Sequence, residues 1–198
     1  MAKMQLESLK KLYAGPFVAM YQADYRNRES GGRKQYDMIS RNLHLQAETL
    51  GRDLPLNAIA MLVVDPVRRR VLLTREFRMP INDYMVSLPA GLVEEGEDPE
   101  QALRRELREE AGLTADRIHL LPATFSSIGL TDERVATAIV TVRGAQQEQH
   151  LEENEEITSA WYSYEEARRI VTDPQTRIGA RSAFLTMLWL EHEGVSVL

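Results

Sequence analysis

Three glutamates in this 198-residue chain stand where chemistry could be done: Glu106, Glu109 and Glu110, in the run EQALRRELREEAGL. At about 100° per residue in a helix, the spacing i, i+3, i+4 puts them on one arc of roughly 100°. Like charges packed this closely destabilise an isolated helix. A hard divalent cation removes that cost, because carboxylate oxygens are the donors Mg²⁺ prefers. The competing reading is a solvated acidic helix face, the ordinary explanation of such a cluster. His44, His119, His150 and His192 are scattered without metal-ligand spacing, and the chain has no cysteine. Thiolate metal sites, disulfides and a cysteine nucleophile are therefore excluded.

Positioning such a cluster takes a helix with defined ends. Asp98 predicts an N-cap, Pro99 suits the first helical position and Gln101 completes a capping box. Gly112 can end the helix in the left-handed conformation. Leu103, Leu107 and Ala111, at i, i+4 and i+8, form a buried stripe.

MVSLPAG leads into this helix as a strand. Before it, AIAMLVV (Ala58–Val64) and RVLLTREF (Arg70–Phe77) are β-rich runs about the turn DPVRR. After it, HLLPATFSSIG, RVATAIVTVR and ITSAWYS read as strands, and helices are expected near Tyr164–Val171 and Ile178–Glu191. Near the start, GPFVAMYQADY and KQYDMISRN, joined by RNRESGGR, predict a hairpin over Phe17–Arg41. Turn residues cluster at Gly51–Asn57, so two domains are expected, 1–53 and 54–198. Strands lie on both sides of a central helix without regular βαβα alternation. This favours an α/β (α+β) sandwich over a dinucleotide fold, and no GxGxxG follows a strand.

The bulk numbers exclude some partners. The net charge of −6 with no evident basic face argues against nucleic acid. The apolar stretches are too short or too polar to span a bilayer, so no membrane partner is expected. The opening MAKMQLESLKKLYAG lacks an apolar run followed by a cleavage site, and no secretory leader is expected. With no cysteine, the chain fits a reducing, cytoplasmic setting.

The full string Gly91–Leu113 matches the Nudix signature at every defined position: Gly91, five residues, Glu97, seven residues, Arg105-Glu106-Leu107, one residue, Glu109-Glu110, one residue, Gly112-Leu113. The chain thus resembles the Nudix hydrolases. The resemblance implies a Nudix fold, a mixed β-sheet between helices with a small N-terminal antiparallel β domain. It implies Mg²⁺, with Mn²⁺ as a substitute, held by Glu106 and Glu110, assisted by Glu109 and the Ala90 carbonyl. Glu97 and Arg105 would pair and, with Gly91, hold the loop on the helix. The implied chemistry is attack of water at phosphorus, with the metal neutralising pyrophosphate oxygens, orienting the water and lowering its pKa.

Beyond the signature, REFRMPINDYMVSLPAG, SSIGLTDE and ENEEI resemble the ADP-ribose pyrophosphatase and nucleoside diphosphate sugar hydrolase branch. That branch implies ADP-ribose, cleaved to AMP and ribose 5-phosphate, and a homodimer in which the N-terminal domain contacts the partner subunit. By position, Phe17 and Tyr36 would sandwich the base, with ordinary strand packing as an equal alternative. Arg41 and Arg78 would reach the phosphates, and Glu133 would approach the terminal sugar. A surface ion pair is the alternative for the arginines, less expected for Arg78 beside the LPAG strand. The general base would be Glu153, which opens ENE, with Glu155 the second choice. Both lie in the polar segment Gly144–Ile157, which is expected to move.

Two positions depart from the branch pattern. Ser87 stands where Glu is frequent before LPAG, and Ile128 replaces the proline of a Ser-Pro-Gly loop. They leave GDP-mannose, UDP-glucose or a dinucleoside polyphosphate open as substrates. A Nudix-fold sensor that binds ADP-ribose without turnover is disfavoured by the intact signature and by the absence of a helix-turn-helix segment.

Overall fold

The computed structural model describes residues 2–52, 54–151 and 153–192. Asp53, in the turn-rich boundary read from the sequence, and residue 152, in the loop read as mobile, lie outside the described residues. The chain divides into two compact units. One comprises the described residues up to Asn57 together with Ala123–Val135, and the other comprises Ala58–Pro122 with the described residues from Ala136 onward.

The first unit holds an antiparallel sheet of β1 (Met4–Ala14), β2 (Ala19–Asn27) and β3 (Arg33–Ser40), in that order. The expected hairpin is β2–β3; β1 is a strand the sequence pattern does not reveal. Bulges between Leu6 and Ser8 and between Lys11 and Tyr13 shift its alternation twice, so period 2 never runs long enough to read. A small core forms from Ala19, Tyr21, Met38 and Leu45. The buried Tyr21 hydroxyl is satisfied on both sides. It donates to the Asn42 carbonyl at 2.8 Å and accepts from the Leu45 amide at 3.1 Å.

Ala123–Val135 joins this unit through long-range polar contacts. Tyr36 donates to the Gly129 carbonyl, Ser40 to Asp132 at 2.9 Å, and the Ile39 amide to the Leu130 carbonyl at 2.9 Å.

The second unit is built on a seven-stranded sheet. Its main path runs β10 (Ile157–Ser163), β5 (Arg70–Arg78), β4 (Ala58–Asp65), β9 (Arg134–Arg143), β8 (Thr114–Phe125). β6 (Asp83–Ser87) pairs with β5, and β7 (Ala90–Leu92) pairs with β4. The fold is of the mixed-sheet α+β class expected.

β4 is apolar along its length and buried on both faces, as a central strand must be. Leu62 and Val64 point with Val71 and Leu73 into a core completed by Ala167 of α2 (Tyr164–Thr172) and Trp189 and Leu190 of α3 (Ala180–Glu191). The alternate residues Met61 and Val63 face the other way, and α1 (Pro99–Ala111) packs on β4, β7 and β10 with Leu103, Leu107 and Ala111 fully buried.

The segment Leu88-Pro89 lets the chain leave β5 and join β4. Pro89 has no amide to donate, and its carbonyl accepts from Met61 at 2.9 Å. The Leu88 amide is held by the Ser182 hydroxyl of α3 at 3.0 Å.

Candidate active site

Helix α1 begins and ends as its sequence demands. The Asp98 carboxylate accepts from the amides of Glu100 (2.8 Å) and Gln101 (3.0 Å), and the Gln101 side chain accepts from the Asp98 amide at 3.1 Å. Pro99 takes the first helical position, and Gly112 closes the helix with φ 63°. These caps fix the rotation of the helix about its axis, and with it the direction of every glutamate it carries.

Glu110 turns toward the sheet and is buried, 6% exposed. Its carboxylate accepts from the Ala90 amide at 3.0 Å. Burial pushes its pKa up to about 9; the Ala90 amide opposes the rise, and the negative charges of Glu106, Glu76 and Glu155 add to it. Glu106 is also raised, first by burial; its bond to Arg105 works against the shift, and Glu109 and Glu155 work with it.

Gly91 lies directly under this cluster. A Cβ there would overlap the Glu106 carboxyl group, so the position is glycine for room.

Arg105 organises the approach to the helix. It donates to Glu97 through Nε (3.1 Å) and Nη2 (3.0 Å), to the Leu92 carbonyl at 2.9 Å, to Glu106 at 2.7 Å and to Glu109 at 3.2 Å. The hydrogen bonds from Arg105 hold the Glu97 carboxyl below the usual carboxylate range, against the opposing effect of burial. The loop between β7 and α1 is therefore pinned at Leu92 and Glu97 by one guanidinium.

Among the described residues, no three Asp, Glu or His side chains converge in a ready metal cage. Glu106 and Glu109 instead face Arg105. The donors gathered here are nonetheless hard carboxylate oxygens, one of them buried among three further negative charges, and that chemistry fits a divalent cation.

The segment read as a mobile loop is tied to the end of α1. The Gln146 side chain donates to the Ala111 carbonyl at 2.9 Å, the Gln147 amide to Gly112 at 2.8 Å and the His150 amide to Glu109 at 2.9 Å. Gln149 also donates to the Glu110 carbonyl. The last carbonyls of a helix have no partner within it, and these residues supply one. That local demand ties residues 146–150 of the segment to the helix.

Closer to β10, Tyr84 donates to the Glu156 carboxylate, and the Phe77 amide donates to the Glu156 carbonyl at 3.1 Å. Glu155 sits beside this anchor, and the carboxyl groups of Glu106 and Glu110 both feel its charge. Glu153 stands two residues further from it, exposed in a turn.

The remaining residues singled out from sequence sort by unit. In the second unit, Arg78 is half exposed and donates from Nη1 to Glu76 at 2.5 Å, so the ion pair thought less expected there is what the structure contains. In the first unit, Arg41 and Glu133 pair at 2.6 Å. Two residues assigned to different parts of a substrate thus hold each other. Tyr36 lies on β3. Phe17 belongs to the tight turn between β1 and β2, closed by the Gly15 amide on the Val18 carbonyl at 2.9 Å, and is 74% exposed. Its expected place in a strand is thereby corrected: Gly15-Pro16 turns the chain first.

Sequence reasoning missed Glu76. It follows Arg75 in an apparently ordinary polar strand end, and its nearness to Glu110 spans 34 positions, given by 110 − 76. An acid two residues before Arg78, on the same face of the strand, is the signal the sequence offered.

Comparison with known proteins adds a family, three relatives and a solved structure. The NUDIX domain family model matches residues 54–183. An ADP-ribose pyrophosphatase of Escherichia coli is 32% identical over 152 residues, covering 70% of each chain. An ADP-ribose pyrophosphatase of Bacillus subtilis is 32% identical over 115 residues, 58% of this chain and 62% of the relative, and an ADP-sugar pyrophosphatase of Mus musculus is 38% identical over 74 residues, 37% and 34% of the two. The chain thus spans less than two thirds of the Bacillus and mouse relatives. A crystal structure of an ADP compounds hydrolase superposes with a TM-score of 0.73 at 18% identity, covering 99% of this chain and 98% of the other.

Proposed function

The chain belongs to the NUDIX domain family, and on that premise we propose that it hydrolyses the pyrophosphate bond of a nucleoside diphosphate linked to a sugar. ADP-ribose, cleaved to AMP and ribose 5-phosphate, is the first candidate, in line with what the Escherichia coli and Bacillus relatives are called. The observation that carries this reading is the Glu110 carboxyl, buried and surrounded by the charges of Glu106, Glu76 and Glu155. Carboxylate oxygens gathered in this way are the donors that a hard divalent cation prefers.

We assign that cation as Mg²⁺, with Mn²⁺ as a substitute, held by Glu106 and Glu110 with Glu109 and the Ala90 carbonyl assisting. When bound, it supplies neutralisation of the pyrophosphate oxygens and acidification of a water. The protein's own residues do the rest. Arg78 presents a fork of donors suited to phosphate oxygens. Glu155 takes the proton of the attacking water, favoured over Glu153 by the effect of its charge on Glu106 and Glu110. Arg105 and Glu97 keep the loop and helix in register.

Phe17 and Tyr36 are assigned to the base, Arg41 to phosphate and Glu133 to the terminal sugar. The exposed Tyr13 and Phe17, 67% and 74%, support a homodimer in which the N-terminal unit contacts the partner subunit. No described helix is long and apolar enough to cross a membrane, which says nothing about strands. The absence of cysteine supports a cytoplasmic setting.

Ser87 and Ile128, which depart from the branch pattern, leave a second reading open within the same chemistry, a preference for GDP-mannose or UDP-glucose. Steady-state rates for ADP-ribose, GDP-mannose, UDP-glucose and a dinucleoside polyphosphate, each with Mg²⁺, separate the two. The first reading expects the highest kcat/KM for ADP-ribose; a higher value for another compound transfers the assignment to it.

A further inference from the structure

The structure assigns Glu76 a role that no signature residue fills: we propose that it is a positioning residue, holding the Arg78 guanidinium toward the phosphates of the substrate. This rests on the reading of the chain as a nucleotide-sugar hydrolase.

Glu76 and Arg78 are two apart on β5, so their side chains leave the same face of the strand. The backbone at Glu76 is paired on both sides, with Met85 of β6 and Ile157 of β10. β10 begins at Ile157, so Arg78 keeps only its β6 partner, Asp83. The glutamate therefore stands on fixed backbone, while the arginine stands one step beyond it, where the sheet opens.

The burial follows the same order. The Glu76 side chain is 23% exposed and that of Arg78 is 50% exposed. A carboxylate oxygen of Glu76 accepts from Arg78 Nη1 at 2.5 Å. That bond uses one of five guanidinium N–H donors, and the others remain for phosphate oxygens. Both residues line a cavity of about 250 Å³, together with Met79, Glu155 and Glu156.

Charge sharpens the point. Glu76 adds its negative charge to an already acidic cluster, close enough to act on Glu110. A carboxylate in this place repels an anionic substrate. Its bond to Arg78 gives it a use. A long arginine that is otherwise free loses side-chain entropy when it grips a phosphate, and a tether that fixes it beforehand reduces that loss.

A double-mutant cycle on the full chain tests the proposal, using Glu76→Gln, Arg78→Ala and the two combined. Two readouts are taken: the Kd of ADP-ribose by calorimetry in the presence of a chelator, and KM, kcat and the Mg²⁺ dependence by steady-state kinetics. Glu76→Gln keeps the side chain's size and removes its charge. It is expected to weaken Kd and raise KM by roughly 10-fold, the scale of a lost charge-assisted bond, with kcat little changed. In the Arg78→Ala background the same substitution should have no effect on Kd.

An equal effect in both backgrounds overturns the proposal, since Glu76 would then act without Arg78. So does a shifted Mg²⁺ dependence with unchanged Kd, which would make Glu76 part of the metal site. Unchanged Kd and KM in Glu76→Gln overturn it as well. If the wild-type protein fails to bind ADP-ribose at all, the reading of function falls first and this inference with it.

Discussion

Replacing Gly91 by alanine probes the site through a single methyl group. Gly91 lies in β7, paired with Ile59 of β4, and its backbone is not left-handed. Alanine is therefore conformationally acceptable, and in open space it would stabilise the protein by about 0.4–1 kcal/mol through the unfolded state. The space is not open. The new Cβ would lie 1.8 to 2.3 Å from the carboxyl carbon and both oxygens of Glu106, well inside contact distance. Overpacking of this kind costs about 1–3 kcal/mol.

The obstructing atoms are the end of a flexible side chain, so Glu106 can swing away. Doing so breaks its 2.7 Å bond to Arg105 and takes it from its place near Glu110. Stability is then expected to fall by only about 1 kcal/mol, toward the lower end of that range. Turnover should fall about 100-fold or more, since displacement of a site group by an ångström has that effect. Urea unfolding followed by circular dichroism gives the first quantity, and kcat for ADP-ribose with Mg²⁺ gives the second. In a Glu106→Ala background the clash is absent, and Gly91→Ala should become neutral or mildly stabilising. A stability loss of the same size in both backgrounds, or wild-type turnover in Gly91→Ala, would refute the steric argument.

Three further outcomes are expected. Glu155→Gln should lower kcat by about 10²–10⁴-fold while Glu153→Gln changes it little; the reverse order would move the base to Glu153. For Asp65, burial raises the carboxyl, but hydrogen bonds from the Arg68 amide and the Arg68 and Arg70 side chains outweigh it and leave the pKa below its ordinary value. A depressed folded-state value means that the stabilisation is complete above the unfolded-state pKa of about 3.9 and is lost as pH falls through the folded one. Urea midpoints measured from pH 7 downward should therefore drop less steeply below about pH 4 in Asp65→Asn than in wild type, and parallel curves would contradict this. Sedimentation should give a dimer at micromolar concentration, and an active monomer would remove the assembly proposed.

What the sequence made legible was local. The caps of α1 rest on Asp98, Pro99, Gln101 and Gly112, whose side-chain and backbone chemistry acts within a few residues, and all four act as expected. The buried stripe Leu103, Leu107, Ala111 follows from helical period alone. What escaped was long-range or irregular. β1 hid behind two bulges. The joining of Ala123–Val135 to the N-terminal sheet depends on pairs such as Arg41–Glu133 and Tyr36–Gly129, some ninety residues apart; Arg41, Glu133 and Tyr36 drew notice singly, for a substrate and not for each other or for Gly129. The glutamine-rich run after Gly144 read as solvated because glutamine is polar; the structure uses that polarity to bond the last carbonyls of α1. Glu76 was not singled out because strand spacing cannot show that α1 brings Glu110 near it.

The most direct test of the account is identification of the products formed from ADP-ribose. The protein is incubated with ADP-ribose and Mg²⁺, and the products are separated and weighed by mass spectrometry, with a chelator and the Glu110→Gln variant as controls. The account predicts AMP and ribose 5-phosphate in equal amounts from wild type, and loss of both with the chelator and in the variant. Intact ADP-ribose recovered from a protein that binds it would contradict the account, as would products cleaved at another bond or undiminished turnover by Glu110→Gln.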